Sequence, residues 1–231
     1  MKSEGCSLIY NSLESITIKD LLPDVFKGME ESPQIRDSRI WEAPPFIFKR
    51  GCRICIHAES GGGKSSLLSF IYGNRKDYTG EIFFDKINIR TLNISGWCDI
   101  RKSHIALLPQ EMRLFPELTV NENIQLKNQL TGSKKQEEID HMLECLGVIE
   151  KKYTLVSKLS IGQQQRVALV RTLCQPFDFI FLDEPVSHLD KTNNKIVAEL
   201  VEKEASKNNA GIITTSVGNH LLLDNPEFVK L

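Results

Sequence analysis

Three consecutive glycines, Gly61 to Gly63, lie between an apolar strand-like run, Arg53 to His57, and a helical pattern from about Lys64 to Tyr72. No other feature constrains the chain as much, since a strand that turns through glycines straight into a helix leaves backbone N–H groups free to wrap an anion. The helix adds the positive end of its dipole, Lys64 a mobile cation, and Ser65 a hydroxyl suited to Mg2+. The segment Ala58-Glu59-Ser60-Gly61-Gly62-Gly63-Lys64-Ser65 fits the phosphate-loop pattern G-x-x-x-x-G-K-[ST] except at its first position. If the backbone at Ala58 needs a positive φ, alanine costs about 1 kcal/mol there. Ser60, Gly61, Gly62, Gly63, Lys64, Ser65 and Ser66 are the candidates for holding a phosphate chain.

A second run, FDFIFL, is continuously apolar and ends in Asp183 and Glu184. Unbroken apolarity marks a strand covered on both faces in a parallel sheet, and ligands of such sheets sit beyond the carboxyl ends of the strands. Asp183 is thus placed to hold Mg2+ through water, and Glu184 to polarise an attacking water. The runs SLIY and SITI read as early strands, and the Pro- and charge-rich stretch from Pro23 to Pro45 as irregular. EIFF followed by INIR suggests a hairpin, and HIALLP a further strand. From Val120 to about Leu173 the pattern is helical, with Ile139, Met142, Leu143 and Leu146 at three- and four-residue spacing and Gly147 as a stop. A helix near Asn193 to Lys207 and a last strand, GIITT, follow. Strands alternating with helices predict an α/β fold around a mostly parallel sheet.

Composition narrows the function. With 29 basic against 30 acidic residues and a net charge of -1, the chain lacks the basic excess by which nonspecific nucleic-acid binders release counterions, so no direct nucleic-acid partner is expected. No run approaches the ~18 apolar residues of a membrane span, and the start MKSEGCSLIY carries neither an export nor an organelle signal. The expected location is the cytosol. Six scattered cysteines suit reduced thiols. Cys52 and Cys55, three apart in a strand-like run, point to opposite faces and read as core cysteines, not metal ligands.

Between the two phosphate-site segments lies Leu159-Ser160-Ile161-Gly162-Gln163-Gln164-Gln165-Arg166, which closely resembles the signature motif of ATP-binding cassette (ABC) ATPases. Gln110 resembles the Q-loop of that family, Leu114-Phe115-Pro116 with Leu118-Thr119-Val120 and Asn123 the stretch that follows it, and Ser187-His188-Leu189-Asp190 the D-loop. The resemblance runs from about Phe48 to Thr215. It implies a RecA-like P-loop NTPase core with a mostly parallel sheet, an antiparallel β subdomain and an inserted α-helical subdomain. These form one ABC ATPase domain over 1–231, with 1–110 and 165–231 as the nucleotide-binding core with its β subdomain, and 111–164 as the helical signature subdomain. It further implies a head-to-tail homodimer that sandwiches ATP between one copy's phosphate loop and the other's Ser160, Gly162 and Gln163, with Asp190 nearby. Ser65, Gln110 and Asp183 would hold Mg2+, Glu184 would be general base, and Gln110 would sense the γ-phosphate. The single cassette is similar to the free-standing ATPases that drive a separate integral membrane subunit from its cytoplasmic face, the lipoprotein-release, macrolide-efflux and cell-division group among them.

Two departures bear on activity. Ser216 stands where the family has a histidine that contacts the γ-phosphate, and loss of such a contact costs about 10²- to 10³-fold in rate, so slow turnover is expected; His220, four residues on, reads as a surface histidine. The usual aromatic platform for adenine is missing from Gln34 to Ser38, leaving Trp41 either to stack on the base or to pack into the sheet edge. Ile161 replaces a signature glycine. An ATP-gated module with little turnover and a soluble, non-transport ABC ATPase are the alternative functions.

Overall fold

The computed structural model describes residues 12–29, 31–41 and 44–231; the SLIY run and Cys6 lie outside them. In chain order the elements are β1 (Ser15–Pro23), a four-residue α1 (Pro33–Arg36), β2 (Phe46–Lys49), β3 (Arg53–His57), α2 (Lys64–Ile71), β4 (Tyr78–Phe84), β5 (Ile87–Asn88), α3 (Ile94–Ser103), β6 (Ile105–Leu108), α4 (Val120–Asn128), α5 (Gln136–Cys145), α6 (Ile161–Leu173), β7 (Phe179–Asp183), α7 (Lys191–Ser206), β8 (Gly211–Ser216) and β9 (Glu227–Lys230). They form two sheets. One is antiparallel in the order β2-β1-β4-β5 and the other runs β6-β7-β8-β3-β9, with every pairing in the second parallel.

The apolar run before Asp183 explains the layering. All five residues of β7 are buried, and because successive side chains alternate faces they feed two separate cores. Phe179 and Phe181 join Leu67, Leu68, Phe70 and Ile71 of α2 and the inner faces of β1 and β4. Ile180 and Leu182 join Val167 and Val170 of α6 and Val197 and Val201 of α7. The helix that opens at the glycine loop is therefore packed between the two sheets, which fixes where its N-terminus points.

Ile124 of α4 and Ile139, Met142 and Leu143 of α5 belong to the same core as Ile180 and Ile212, so the helical stretch packs continuously onto the sheet. The expected division at 164 falls inside α6, whose first turn is closed by Ser160 and Gln163 in a reciprocal capping box. Three elements had no sequence signal strong enough to place them. β2 and β9 are four-residue edge strands, and α3 contains Gly96 and buries only Gly96 and Ile100. INIR forms a short pairing and a 3-10 turn, with little strand. Among the described residues between Pro23 and Pro45, the chain is irregular apart from a 3-10 turn, α1 and a bridge from Trp41 to Leu21.

Asp178, just before β7, ties distant segments together at the end of the sheet remote from the glycine loop. Its carboxylate accepts from the Leu13 N–H at 2.8 Å, meets His104 Nδ1 at 2.6 Å and pairs with Arg50 at 3.1 Å. Arg50 also donates to the Asn208 carbonyl at 2.7 Å. Removing one partner of a buried charge cluster costs about 3–5 kcal/mol, so Asp178→Ala should lower the free energy of unfolding by about that amount, read from urea denaturation followed by circular dichroism.

Candidate active site

Beyond His57 the chain turns through the glycines before α2 opens. Gly61 and Gly63 have φ of 83° and 90°, the left-handed region that glycine enters without a Cβ penalty. At Gly63, the N-cap of α2, a side chain is barred twice over, because a Cβ there would lie 2.9 Å from Cζ2 of Trp41. Ala58 is not among the positive-φ residues, and the expected penalty for alanine does not arise. Trp41 is 1% exposed, 6.4 Å from the Phe26 ring between centroids, and lies against Gly63. Of the two readings for Trp41, burial favours packing: it lies beside the phosphate loop as part of the core.

Ser60 to Ser66, Gln110 and Glu184 line a cavity of about 220 Å3. Lys64 is 5% exposed, and its Nζ donates to the carbonyls of Ala58 at 2.9 Å and Glu59 at 3.0 Å. Burial pulls its pKa below the ordinary lysine value, opposed by the negative charges of Glu184 and Asp183. Ser65 is exposed, whereas the Ser66 hydroxyl accepts from Arg75 at 2.8 Å.

The carboxylates stand on the end of β7. Asp183 is 5% exposed and accepts from the Thr215 hydroxyl at 2.6 Å. Glu184 has φ of 50°, which a side chain adopts at a cost. Its N–H donates to Thr215 Oγ1 at 3.1 Å, its carbonyl accepts from Gln165 Nε2 at 3.0 Å, and its carboxylate accepts from Gln110 Nε2 at 3.3 Å. Thr215 and Gln165 escaped the sequence reading because a strand threonine and a helix glutamine carry no motif of their own. The register that pairs Asp183 with Thr215 was the missing information.

Other expected site residues lie elsewhere. Ser216 is 4% exposed, and its Oγ sits 3.7 Å from Cys55 Sγ, away from the cavity lining. His220 packs edge-on to Phe228, with centroids 5.2 Å apart. Ser160 is exposed, with Gly162 and Gln163 half-buried, at the start of α6, and none of the three lines the cavity. Asp190 caps α7 by accepting from the Asn193 N–H at 2.8 Å, which holds its carboxyl below the usual range. Cys55 is buried and Cys52 mostly so, its thiol pushed up to about 11 by burial.

The donors at the cavity suit a small hard cation. Ser65 and Gln110 of the lining offer oxygen atoms, Asp183 lies buried one residue before the lining residue Glu184, and among the described residues no cluster of three or more His, Cys, Asp or Glu forms a self-sufficient metal site. Mg2+ is commonly held by one or two carboxylates with waters and phosphate oxygens completing its shell, and Asp183 with the oxygens of Ser65 and Gln110 fits such a partial set. A larger cavity of about 690 Å3 adjoins, sharing Ser60 and Gly62 with the first and walled by Pro33, Asp37, His57 and Lys230 among others. Among the described residues its lining contains no Phe, Tyr or Trp.

Comparison with known proteins agrees with this geometry. The family profile described as ABC transporter matches residues 44–187. The ABC transporter ATP-binding protein YtrE of Bacillus subtilis (strain 168) is 32% identical over 181 residues, covering 77% of this chain and 76% of its own. The lipoprotein-releasing system ATP-binding protein LolD of Hyphomonas neptunium (strain ATCC 15444) is 33% identical over 160 residues, 68% of this chain and 70% of its own. Among solved structures, the dimeric bacterial ABC transporter cassette MJ0796 superposes with a TM-score of 0.72 at 24% identity, covering 93% of this chain and 94% of that one. Its post-hydrolysis dimer bound to ADP and Pi gives 0.67 at 25% identity, with 88% of each chain covered. With the profile spanning more than half of the sequence and the phosphate loop, paired carboxylates and signature segment all placed, the chain belongs to the ABC transporter family as an ATP-binding cassette.

Proposed function

We propose that this cassette hydrolyses ATP and, by closing with a second copy head to tail, drives a separate membrane subunit from the cytoplasmic face. The observation that carries the reading is that the cavity of Lys64, Gln110 and Glu184 and the helix start at Ser160 to Gln163, where Ser160 is exposed, are separate, since none of Ser160, Gly162 and Gln163 lines that cavity. One copy offers half of a phosphate clamp at each place, and a two-fold pair would complete both. The relatives' names, ATP-binding proteins of a transporter and of a lipoprotein-releasing system, support the membrane partner.

In this reading Lys64 exchanges its two loop carbonyls for phosphate oxygens, and the backbone N–H groups of Gly61 to Ser66 wrap the phosphate chain. Ser65, Asp183 and Gln110 would hold Mg2+, which when bound would supply positive charge against the phosphate oxygens. Glu184, next to Gln110, takes a proton from the attacking water at its carboxylate. Base and ribose occupy the adjoining 690 Å3 cavity, where Pro33, Ala58, Val217 and Leu231 offer apolar surface and Asp37, His57 and Lys230 offer polar groups. The positions of Ser160, Gly162, Gln163 and Asp190 on exposed helix starts suit contact with the second copy's nucleotide. After hydrolysis the shared γ-phosphate is gone and the pair loosens, a two-state switch.

Slow turnover fits the burial of Ser216. Its hydroxyl is engaged by Cys55 and puts no cation near the γ-phosphate position. This observation also favours the second reading, an ATP-gated module that dimerises and rarely hydrolyses.

Two experiments separate these readings. Glu184→Gln should cut steady-state hydrolysis by about 10²-fold or more, the weight of a general base, and should leave a long-lived dimer in MgATP by light scattering; a near-inactive module would change little. Ser216→His should raise steady-state ATP hydrolysis by about 10-fold or more, part of the ~10²–10³ that a positioned transition-state contact supplies; an unchanged rate means that another step limits.

A further inference from the structure

We propose that Thr215 is a positioning residue for magnesium nucleotide: its single hydroxyl orients the Asp183 carboxylate and holds the Glu184 backbone. The inference rests on the reading of the cradle as a MgATP site and assigns to that site a residue that carries no sequence motif. β7 and β8 run parallel with Asp183 opposite Thr215, which brings a threonine side chain beside the carboxylate on the face toward α2. Thr215 is 1% exposed, so water does not compete for its hydroxyl.

A hydroxyl has one proton to give and lone pairs to receive. Here the proton goes to Asp183 Oδ1 at 2.6 Å, and a lone pair accepts the Glu184 N–H at 3.1 Å. Engaging Oδ1 fixes the plane of the carboxylate and leaves Oδ2 for the ion or its waters. The β-branched side chain has few χ1 wells, so the hydroxyl keeps its place without an ordering cost on binding.

Glu184 needs the same support for another reason. Its left-handed backbone, φ 50°, persists only where neighbours over-determine it. The peptide is held at both ends, its N–H by Thr215 and its carbonyl by Gln165 Nε2 at 3.0 Å and Ser187 Oγ at 3.2 Å. One side chain thus couples the orientation of the metal-holding acid to the backbone that presents the water-activating one.

The test measures binding, not turnover. Affinity of the full chain for mant-ATP is followed by fluorescence in EDTA and across a Mg2+ titration, with melting curves for each variant. Partners behind a metal ligand typically carry about 10–100-fold in metal affinity, so Thr215→Val should weaken the Mg2+ midpoint by about that factor while changing the affinity in EDTA by less than about 2-fold. Thr215→Ser, which keeps the hydroxyl, should restore the midpoint. In an Asp183→Ala background Thr215→Val should weaken the Mg2+ midpoint no further, since the hydroxyl reaches the ion only through the Asp183 carboxylate. A folded valine variant with an unchanged Mg2+ midpoint overturns the proposal, and so does one that weakens equally in EDTA. If the valine variant does not hold its fold, the serine variant decides: a Mg2+ midpoint like that of the parent supports the role of the hydroxyl, and a lost one overturns it. A parent chain that binds mant-ATP in neither condition removes the nucleotide reading itself, an outcome distinct from failure of Thr215 alone.

Discussion

A lysine ammonium almost without solvent must be balanced, and the balancing of Lys64 organises the site. At 5% exposed it gives two protons to the carbonyls of its own loop and sits in the field of Glu184 and Asp183. Unpaired, a charge so placed would neutralise or drag the loop apart. The loop is therefore folded around a cation that its own carbonyls hold, and in the proposed function a phosphate takes over the two hydrogen bonds that Lys64 makes to them.

Everything else holds those charges where they are. α2 cannot swing, because its apolar side chains fill the space between two sheets and Trp41 lies against its N-cap, Gly63. The carboxylates cannot drift, because β7 is covered on both faces and Thr215 grips its end. Gln110 reaches Glu184 from the end of β6, and the chain beyond it is tied to α4 through buried Asn123, whose side chain bonds to Phe115, Leu118 and Thr119. α4 shares a core with α6, whose N-cap is the exposed Ser160.

Much of the site was legible in the sequence, and what was not has a physical pattern. The glycine loop, Lys64, Asp183 and Glu184 follow from local rules: a backbone that must bind an anion needs glycine at Gly61 and Gly63, and a strand buried on both faces must be apolar until it reaches solvent. Ile139, Met142 and Leu143 announced a helix because amphipathic spacing is local as well. These facts the chain fixes by itself, since each depends on residues within a few positions of one another. Tertiary structure alone decided that Trp41 packs against Gly63 instead of facing a base, that Ser216 turns to Cys55, that Ala58 needs no positive φ, and that Thr215 stands beside Asp183. Each depends on strand register or on which face of a sheet is covered, and those are settled only when segments far apart in the chain meet to bury their apolar surfaces together.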